Sequence, residues 1–181
     1  APLVLRARGT QVLTMLRTPG GDAELVAGLM HGEGLPLAPY VRLGDDIVDL
    51  DVDPSRFSAR PLVATGACGA CSKAMISDLQ LLRAGLPPRA DADVFVVGRD
   101  VISALPDKLA AAQVGFAASG GLHAAALFDE AGELLVLRED IGRHNAVDKV
   151  IGWAVLADRL PLRRTILMLS GRVGFELVAK A

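Results

Sequence analysis

The sequence predicts an α/β fold in which a mixed sheet with flanking helices is preceded by a small N-terminal lobe. Short apolar runs with strand character alternate irregularly with segments of helical periodicity, and this order favours a mixed sheet over a purely parallel one. The 181 residues fit one domain with a small extra lobe. A hydrophobic content of 51% provides enough apolar surface for a packed core and excludes a disordered chain.

Residues 1–60 are predicted to form the N-terminal lobe. Apolar runs at 3–8 and 12–16 flank a glycine-containing turn and predict a hairpin. A helix is predicted from Asp22, with apolar side chains at helical spacing and glycines at its end. Residues 48–53 alternate strictly between apolar and acidic side chains, which predicts a half-buried strand whose carboxylates form a solvated face.

Residues 61–181 are predicted to form the larger α/β domain. Its strands are predicted at 62–65, 122–128, 134–137 and 165–169, the first and the last of them buried. Helices are predicted over 72–84, over 100–113 and after Arg172. A further helix is predicted before the last strand, and its inner face carries Val147, Val150, Ile151, Ala154 and Val155.

Composition and patterning exclude several classes of protein. The net charge of -2 and the aromatic content of 4% argue against a nucleic-acid binder, which needs a basic face or a stacking platform. The longest uncharged stretch, residues 109–128, contains Gln113, a glycine pair and His123, so we interpret it as core and not as a membrane span.

The sequence begins with no basic-then-apolar leader, which predicts a cytoplasmic protein. It lacks a starting Met and stops inside a predicted helix, so we expect a fragment without the C-terminal end of the domain.

Polar clusters follow three predicted strands and open helices, at residues 65–71, 138–145 and 170–172. In open α/β sheets the crevice at the carboxyl ends of the strands binds ligands, since helix N-termini point into it. A fourth cluster, residues 119–123, enters a strand, and its two glycines allow a close approach of the backbone. The sequence therefore predicts one site that draws on these turns.

The sharpest single feature is the pair Cys68 and Cys71 in a C-x-x-C spacing. The motif opens a predicted helix, whose partial positive charge, together with nearby Lys73, stabilises a nucleophilic thiolate. In a reducing compartment this spacing indicates redox, sulfur or metal chemistry before a structural disulfide. Half of a zinc site, or two buried thiols, would explain the spacing equally well.

The densest polar segment runs from Arg138 to Lys149. Arg143 and Lys149 are candidates to hold phosphates, and His144 is a candidate to shuttle a proton, because this segment opens a predicted helix whose N-terminus favours an anion. Arg172 is a further candidate, because it places a guanidinium in a Ser-Gly-Arg turn between the last strand and a predicted helix. Together with the C-x-x-C motif, these residues suggest a thiol that works beside a phosphorylated ligand.

Three alternatives remain open on these residues. The polar segment is also typical of a surface loop braced by salt bridges among Arg138, Glu139, Asp140 and Arg143. A zinc deaminase is suggested by His31-Gly32-Glu33, an H-x-E motif that precedes Cys68 by 37 positions. Against this, Ala67 stands where a deaminase requires Pro, and His31 ends a predicted helix instead of starting one. A thioredoxin-like oxidoreductase carries its C-x-x-C near the chain start, whereas about sixty residues precede it here.

Five motifs taken together resemble the FdhD family, sulfur carrier proteins required for formate dehydrogenase activity. They follow in the family's order over nearly the whole chain: Thr18-Pro19 through Leu29-Met30-His31-Gly32-Glu33-Gly34, Cys68-Gly69-Ala70-Cys71, Gly120-Gly121-Leu122-His123-Ala124-Ala125-Ala126-Leu127, Arg138 to Lys149, and Ser170-Gly171-Arg172 with Phe175-Glu176. The run from Arg138 to Lys149 is the most distinctive of them.

The resemblance implies a two-lobed protein whose core is similar to the cytidine deaminase fold but lacks the deaminase metal site. It implies that sulfur is accepted from a cysteine desulfurase as a cysteine persulfide. The sulfur then passes to the molybdenum cofactor, bis-molybdopterin guanine dinucleotide (bis-MGD), before insertion into the catalytic subunit of formate dehydrogenase. Carried onto this sequence, Cys68 bears the persulfide and Cys71 assists it. The protein is then a sulfurtransferase with no catalytic metal of its own, and a homodimer is one expected assembly.

The residues expected to bind this cofactor come from the turns already named: Gly121, His123, Arg143, His144, Lys149 and Arg172. Two helix N-termini and fixed cations in one crevice favour a pyrophosphate such as that of the guanine dinucleotide. The sequence departs from the family at two points. Ser72 stands where members usually have Gly, and a C-terminal segment with a Gly-Phe and an Arg-Gly motif, implicated in holding the guanine nucleotide, is missing from this sequence.

Overall fold

The computed structural model describes residues 1–58 and 95–181. In chain order its elements are β1 (Pro2–Ala7), β2 (Thr10–Leu16), α1 (Asp22–Gly32), β3 (Tyr40–Arg42), β4 (Ile47–Leu50), α2 (Ser55–Ser58), α3 (Arg99–Ala112), α4 (Val114–Ser119), β5 (His123–Asp129), β6 (Leu134–Asp140), α5 (Arg143–Leu156), β7 (Thr165–Leu169) and α6 (Phe175–Lys180). The described strands form two sheets with helices packed on them, which confirms the predicted α/β class.

The first sheet has the strand order β2-β1-β4-β3. Strand β1 pairs antiparallel with β2 and parallel with β4, so this sheet, which lies within the predicted N-terminal lobe, is mixed. Leu3 and Leu5 of β1 are fully buried and lie in one cluster with Leu25 and Met30 of α1. Because side chains alternate across a strand, one face of β1 packs on α1.

The second sheet has the order β6-β5-β7, with both outer strands antiparallel to β5. The side chains of β5 alternate between two apolar layers. Ala125 and Leu127 pack in the layer that contains α5, whereas Ala126 and Phe128 pack in the layer that contains Leu105 of α3. Since β6 and β7 both run opposite to β5, both end at the edge where β5 begins.

Helix α1 packs on the first sheet and helix α5 packs on the second. The two helices cross with their backbones in contact, and this crossing joins the two sheets. A Cβ placed on Gly28 would lie 1.8 Å from the carbonyl oxygen of Asp148, and a Cβ on Gly152 would lie 1.8 Å from the carbonyl oxygen of Glu24. Each helix therefore needs a glycine where the other backbone approaches. Arg138 of β6 adds a bidentate pair with Glu24, with both N–O distances at 2.6 Å.

Most of the predicted elements that fall on described residues lie where the sequence places them. Both hairpins, the helix from Asp22 and the strand at 165–169 are present, and the helix predicted over 100–113 is α3. The short elements β3, α2 and α4 are not predicted by the sequence. Elements of three to six residues carry too little periodicity to stand out from turns.

Two expectations about strands are wrong in detail. The strand predicted over 48–53 ends at Leu50, since its pairing with β1 stops where Ala7 faces Leu50. Strand β7 is half-buried along its length and not buried, because it lies at an outer position of the described sheet.

Other expectations are not reached by the described residues. The predicted strand at 62–65, the helix at 72–84 and the lobe boundary at residue 60 lie outside them. The likeness of the core to cytidine deaminase stays a prediction. Within the described ranges, the helices are too short or too polar for any of them to cross a bilayer.

Gly28→Ala is expected to lower the free energy of unfolding by about 2 kcal/mol or more, because its methyl group has no room against the Asp148 carbonyl. The matched control is Gly121→Ala, whose methyl group would meet only the Ser119 carbonyl oxygen, 3.9 Å away. Urea unfolding of both variants measures the difference. Equal unfolding midpoints for the two variants would contradict the close crossing of α1 and α5.

Candidate functional site

Two of the predicted polar turns and the glycine pair meet at one edge of the second sheet. His123 at the start of β5 is paired in register with Asp140 at the end of β6. On the other side of β5, the Ser170 hydroxyl accepts a 2.8 Å hydrogen bond from the Ala124 N–H, and the Ser170 N–H donates to the Ala124 carbonyl at 3.0 Å. The structure thus brings the turns at 119–123, 138–145 and 170–172 together, as predicted, whereas the turn at 65–71 lies outside the described residues.

His123 lies against the turn that follows β7. A Cβ on Gly171 would lie only 3.0 Å from Nδ1 of His123, so a glycine at this position lets the imidazole pack closely on the turn. His123 also lines a groove at the sheet edge, whose described lining residues are Gln113, Phe116, Gly120, Gly121, Leu122, His123 and Ser170. Two of the residues expected to bind the cofactor, Gly121 and His123, therefore lie in one groove.

One wall of the groove is helix α4, and Glu139 holds it in place. The two carboxylate oxygens of Glu139 accept hydrogen bonds from the N–H groups of Gly115 at 2.6 Å and Phe116 at 2.7 Å. These N–H groups belong to the first turn of α4, where a helix has no backbone acceptor of its own, so the carboxylate caps the helix. Phe116 is 46% exposed, and Gln113 is buried at 8%.

Asp140, at the end of β6, is completely buried and accepts hydrogen bonds from several parts of the chain. The donors are the Thr18 N–H at 3.0 Å, the Gly142 N–H at 3.0 Å, the Asn145 side-chain amide at 2.9 Å and the Lys149 ammonium at 2.8 Å. Although the carboxylate is buried, each of its two oxygens accepts hydrogen bonds, as buried polar groups generally do. The Thr18 hydroxyl accepts a further bond from the Ile141 N–H at 3.0 Å, which fixes the turn before α5.

Lys149 lies beneath this turn and does not reach the groove. Its side chain is 3% exposed, and its ammonium contacts Asp140 together with the carbonyl oxygens of Thr18 at 3.0 Å and Glu139 at 3.4 Å. An ammonium has three protons to donate, and these three oxygens use them. In this conformation Lys149 is therefore part of the framework of the turn.

Arg143, His144 and Arg172 lie at the same sheet edge as His123. Arg143 and His144 form the start of α5 and are half-buried, and Arg172 is exposed in the turn after β7. Their convergence on one ligand stays a prediction.

The first half of the polar segment braces the fold, but the partners of Arg138 and Asp140 differ from those that the surface-loop alternative expected. That alternative expected salt bridges among Arg138, Glu139, Asp140 and Arg143, whereas Arg138 and Asp140 pair with Glu24 and Lys149, and Asp140 is buried. Arg138 pairs with Glu24 of α1, and this hydrogen bonding raises the pKa of Arg138. Glu139 and Asp140 hold α4 and the start of α5. The second half, from Arg143, carries the candidate ligand-binding residues.

Sequence reasoning missed a buried ion pair that joins α5 to α6. Asp148 is 3% exposed, and its carboxylate accepts a 2.6 Å hydrogen bond from Lys180. Burial raises the pKa of Asp148, while the charges of Lys180 and His144 oppose that rise. The signal available in the sequence is the position of Asp148, three residues before Ile151 and so on the inner face of α5.

The two cysteines of the C-x-x-C motif, Cys68 and Cys71, lie outside the described residues. In the part of the chain that the structure describes, no group of three or more His, Cys, Asp or Glu side chains is arranged to hold a metal ion. The zinc and the thiol interpretations of the motif both stay predictions.

The architecture is that of an α/β protein in two sheets, with a polar groove where three strand ends meet. A model of the FdhD/NarQ family matches residues 1–181, the whole of this sequence. The chain therefore belongs to the FdhD/NarQ family, and the resemblance carried by its motifs is confirmed.

Relatives and a solved structure agree with this assignment. The sulfur carrier protein FdhD of Mycobacterium tuberculosis is 40% identical over 206 residues, which cover 99% of this chain and 72% of the relative. The protein of the same name from Sulfurisphaera tokodaii is 40% identical over 172 residues, which cover 92% of this chain and 64% of the relative. A crystal structure of a formate dehydrogenase accessory protein from Desulfotalea psychrophila matches with a TM-score of 0.66 over 99% of this chain and 67% of that chain. At 20% identity, this match shows the shared fold.

Asp140→Asn is expected to lower the free energy of unfolding by about 3 to 5 kcal/mol, because it leaves the buried Lys149 ammonium beside a neutral amide. The double variant Asp140→Asn/Lys149→Met removes both charges and is expected to regain most of that loss. Urea unfolding of the two variants compares them. A double variant as unstable as the single one would contradict the importance of this ion pair.

Proposed function

We propose that the protein is a sulfur carrier that serves a formate dehydrogenase. It accepts sulfur from a cysteine desulfurase as a persulfide on Cys68 and transfers it to bis-MGD before that cofactor enters the catalytic subunit. The observation that carries the proposal is the family match over residues 1–181, a range that includes the Cys68-Gly69-Ala70-Cys71 motif. The names of the relatives, which are called sulfur carrier proteins, support it.

The sulfur chemistry that we propose needs two thiols. The Cys68 thiolate attacks the outer sulfur of the donor persulfide. A new S–S bond forms on Cys68, the donor's S–S bond breaks, and the donor cysteine leaves as a thiolate. Release of the sulfur as sulfide needs two electrons. Attack of the Cys71 thiolate on the inner sulfur supplies them, expels hydrosulfide and leaves a Cys68–Cys71 disulfide, which a cellular dithiol reduces.

The cofactor, which is the substrate of this reaction, is proposed to bind at the convergent sheet edge. Gly121 and His123 line the groove there, Arg143 and Arg172 supply positive charge at this edge, and His144 lies in the first turn of α5. A helix N-terminus with adjacent cations favours a pyrophosphate. The buried Lys149 supports this site from below, since it fixes the turn that carries Arg143 and His144.

The partners that follow from this function are a cysteine desulfurase, a formate dehydrogenase catalytic subunit and, as an assembly, a second copy of the chain. A sulfurtransferase of this kind works in the cytoplasm, where its donor and its acceptor meet. It needs no catalytic metal of its own, because thiolates carry out every step of the exchange.

Cys68→Ala is expected to abolish sulfur loading and formate dehydrogenase activation, because it removes the proposed acceptor thiolate. Mass spectrometry after incubation with a cysteine desulfurase and cysteine measures the loading, with about 32 Da added for each sulfur. Cys71→Ala is the matched control, which should still load sulfur while it fails to release it. Full activation by Cys68→Ala, or stoichiometric zinc on unloaded wild-type protein, would contradict the proposal.

A further inference from the structure

We propose that Thr18, in the connection between β2 and α1, is a positioning residue for the delivery of sulfur to the cofactor. It acts through the turn that carries Arg143 and His144, which it holds at the start of α5. The inference rests on the proposed function and deepens it, because it gives the predicted N-terminal lobe a role at the proposed ligand-binding edge.

The backbone N–H, the hydroxyl and the carbonyl of Thr18 all bond to the segment from Asp140 to Lys149. The Thr18 N–H donates to the Asp140 carboxylate at 3.0 Å, and the Thr18 hydroxyl accepts from the Ile141 N–H at 3.0 Å. The Thr18 carbonyl accepts from the Lys149 ammonium, also at 3.0 Å. These partners follow Thr18 by 122 to 131 residues. Three hydrogen bonds thus join one residue of the lobe to the end of β6, to the turn and to α5.

The hydroxyl of Thr18 orients a peptide group directly before α5. Within the turn, Asp140 holds the Gly142 N–H at 3.0 Å, whereas the Ile141 N–H is held from the connection between β2 and α1. Gly142 is the N-cap of α5 and has an extended backbone conformation, so the peptide ahead of it sets the direction in which the helix starts. A side chain that holds this peptide therefore positions the first residues of α5.

Thr18 is itself held in place by its neighbour Arg17. The Arg17 guanidinium is buried and donates to the Asp22 carboxylate at 3.0 and 3.2 Å and to the Asp45 carbonyl at 3.0 Å. The Arg17 N–H donates to the Ala1 carbonyl at 2.9 Å. Displacement of the guanidinium would leave a buried charge without its partner, which is strongly unfavourable. The first sheet and α1 therefore set where Thr18 meets the turn.

Thr18→Val isolates the contribution of the hydroxyl. Valine keeps the branched shape and the backbone bonds of Thr18, but the Ile141 N–H loses its acceptor. Thr18→Ser keeps the hydroxyl and is the conservative variant. The matched control is Thr14→Val, which removes an exposed hydroxyl of β2 that accepts from the Gln11 side-chain amide at 3.1 Å.

The test separates sulfur loading from sulfur delivery in the whole protein. Misplacement of a binding group by about 1 Å can lower a rate by about a hundredfold, so we expect Thr18→Val to lower formate dehydrogenase activation at least fivefold. Sulfur loading on Cys68, measured by mass spectrometry, should stay within twofold, because it requires the thiolate and not the turn. Thr18→Ser and Thr14→Val should keep both activities within twofold. Amide hydrogen exchange at Ile141 should be faster in Thr18→Val than in Thr18→Ser.

Each other outcome overturns a defined part. A wild-type protein that neither loads sulfur nor activates formate dehydrogenase contradicts the proposed function, and the role of Thr18 falls with it. Where the wild type is active, activation by Thr18→Val within twofold of it rejects the positioning role. Equal losses of loading and activation, or a loss in Thr18→Ser as large as that in Thr18→Val, also reject it, because they indicate general destabilisation. If urea unfolding shows that Thr18→Val does not fold, Thr18→Ala decides the same point, since it removes the hydroxyl without placing a methyl group beside the Ile141 N–H.

Discussion

The buried carboxylate of Asp140 is the interaction on which the rest of the site depends. It receives four donors from the connection between β2 and α1, from the turn before α5 and from α5 itself. A carboxylate withdrawn from water is stable only when hydrogen bonds and a counter-charge replace its hydration. Because one group satisfies this requirement with partners from separate elements, the position of each element is tied to that of the others.

This constraint gives a small α/β protein a defined edge for the proposed ligand. The crossing of α1 and α5 at Gly28 and Gly152 sets the two helices, and Asp140 then fixes where α5 starts. An edge held in this way loses little freedom on binding, which favours affinity. For the proposed sulfur carrier a fixed edge matters because thiol exchange requires a thiolate and an acceptor held at the correct distance.

The sequence predicts what is local and misses what is distant. Periodicity and turn residues predict the hairpin of β5 and β6, and the common direction of β6 and β7 predicts that their polar turns meet. The Thr18–Asp140 contact spans 122 residues and leaves no trace in any local pattern. Lys149 was expected to hold a phosphate, and its pairing with Asp140 could not be predicted because that counter-charge comes from a separate strand. Helix α4 was missed since its tether, Glu139, lies 24 residues after Gly115.

A crystal structure of the whole protein with guanosine diphosphate tests most directly whether the convergent sheet edge is the cofactor site. We expect the diphosphate between the start of α5 and the turn of Ser170 to Arg172, with Lys149 still paired to Asp140. An ordered nucleotide bound elsewhere on the protein, with this edge empty, would contradict that assignment.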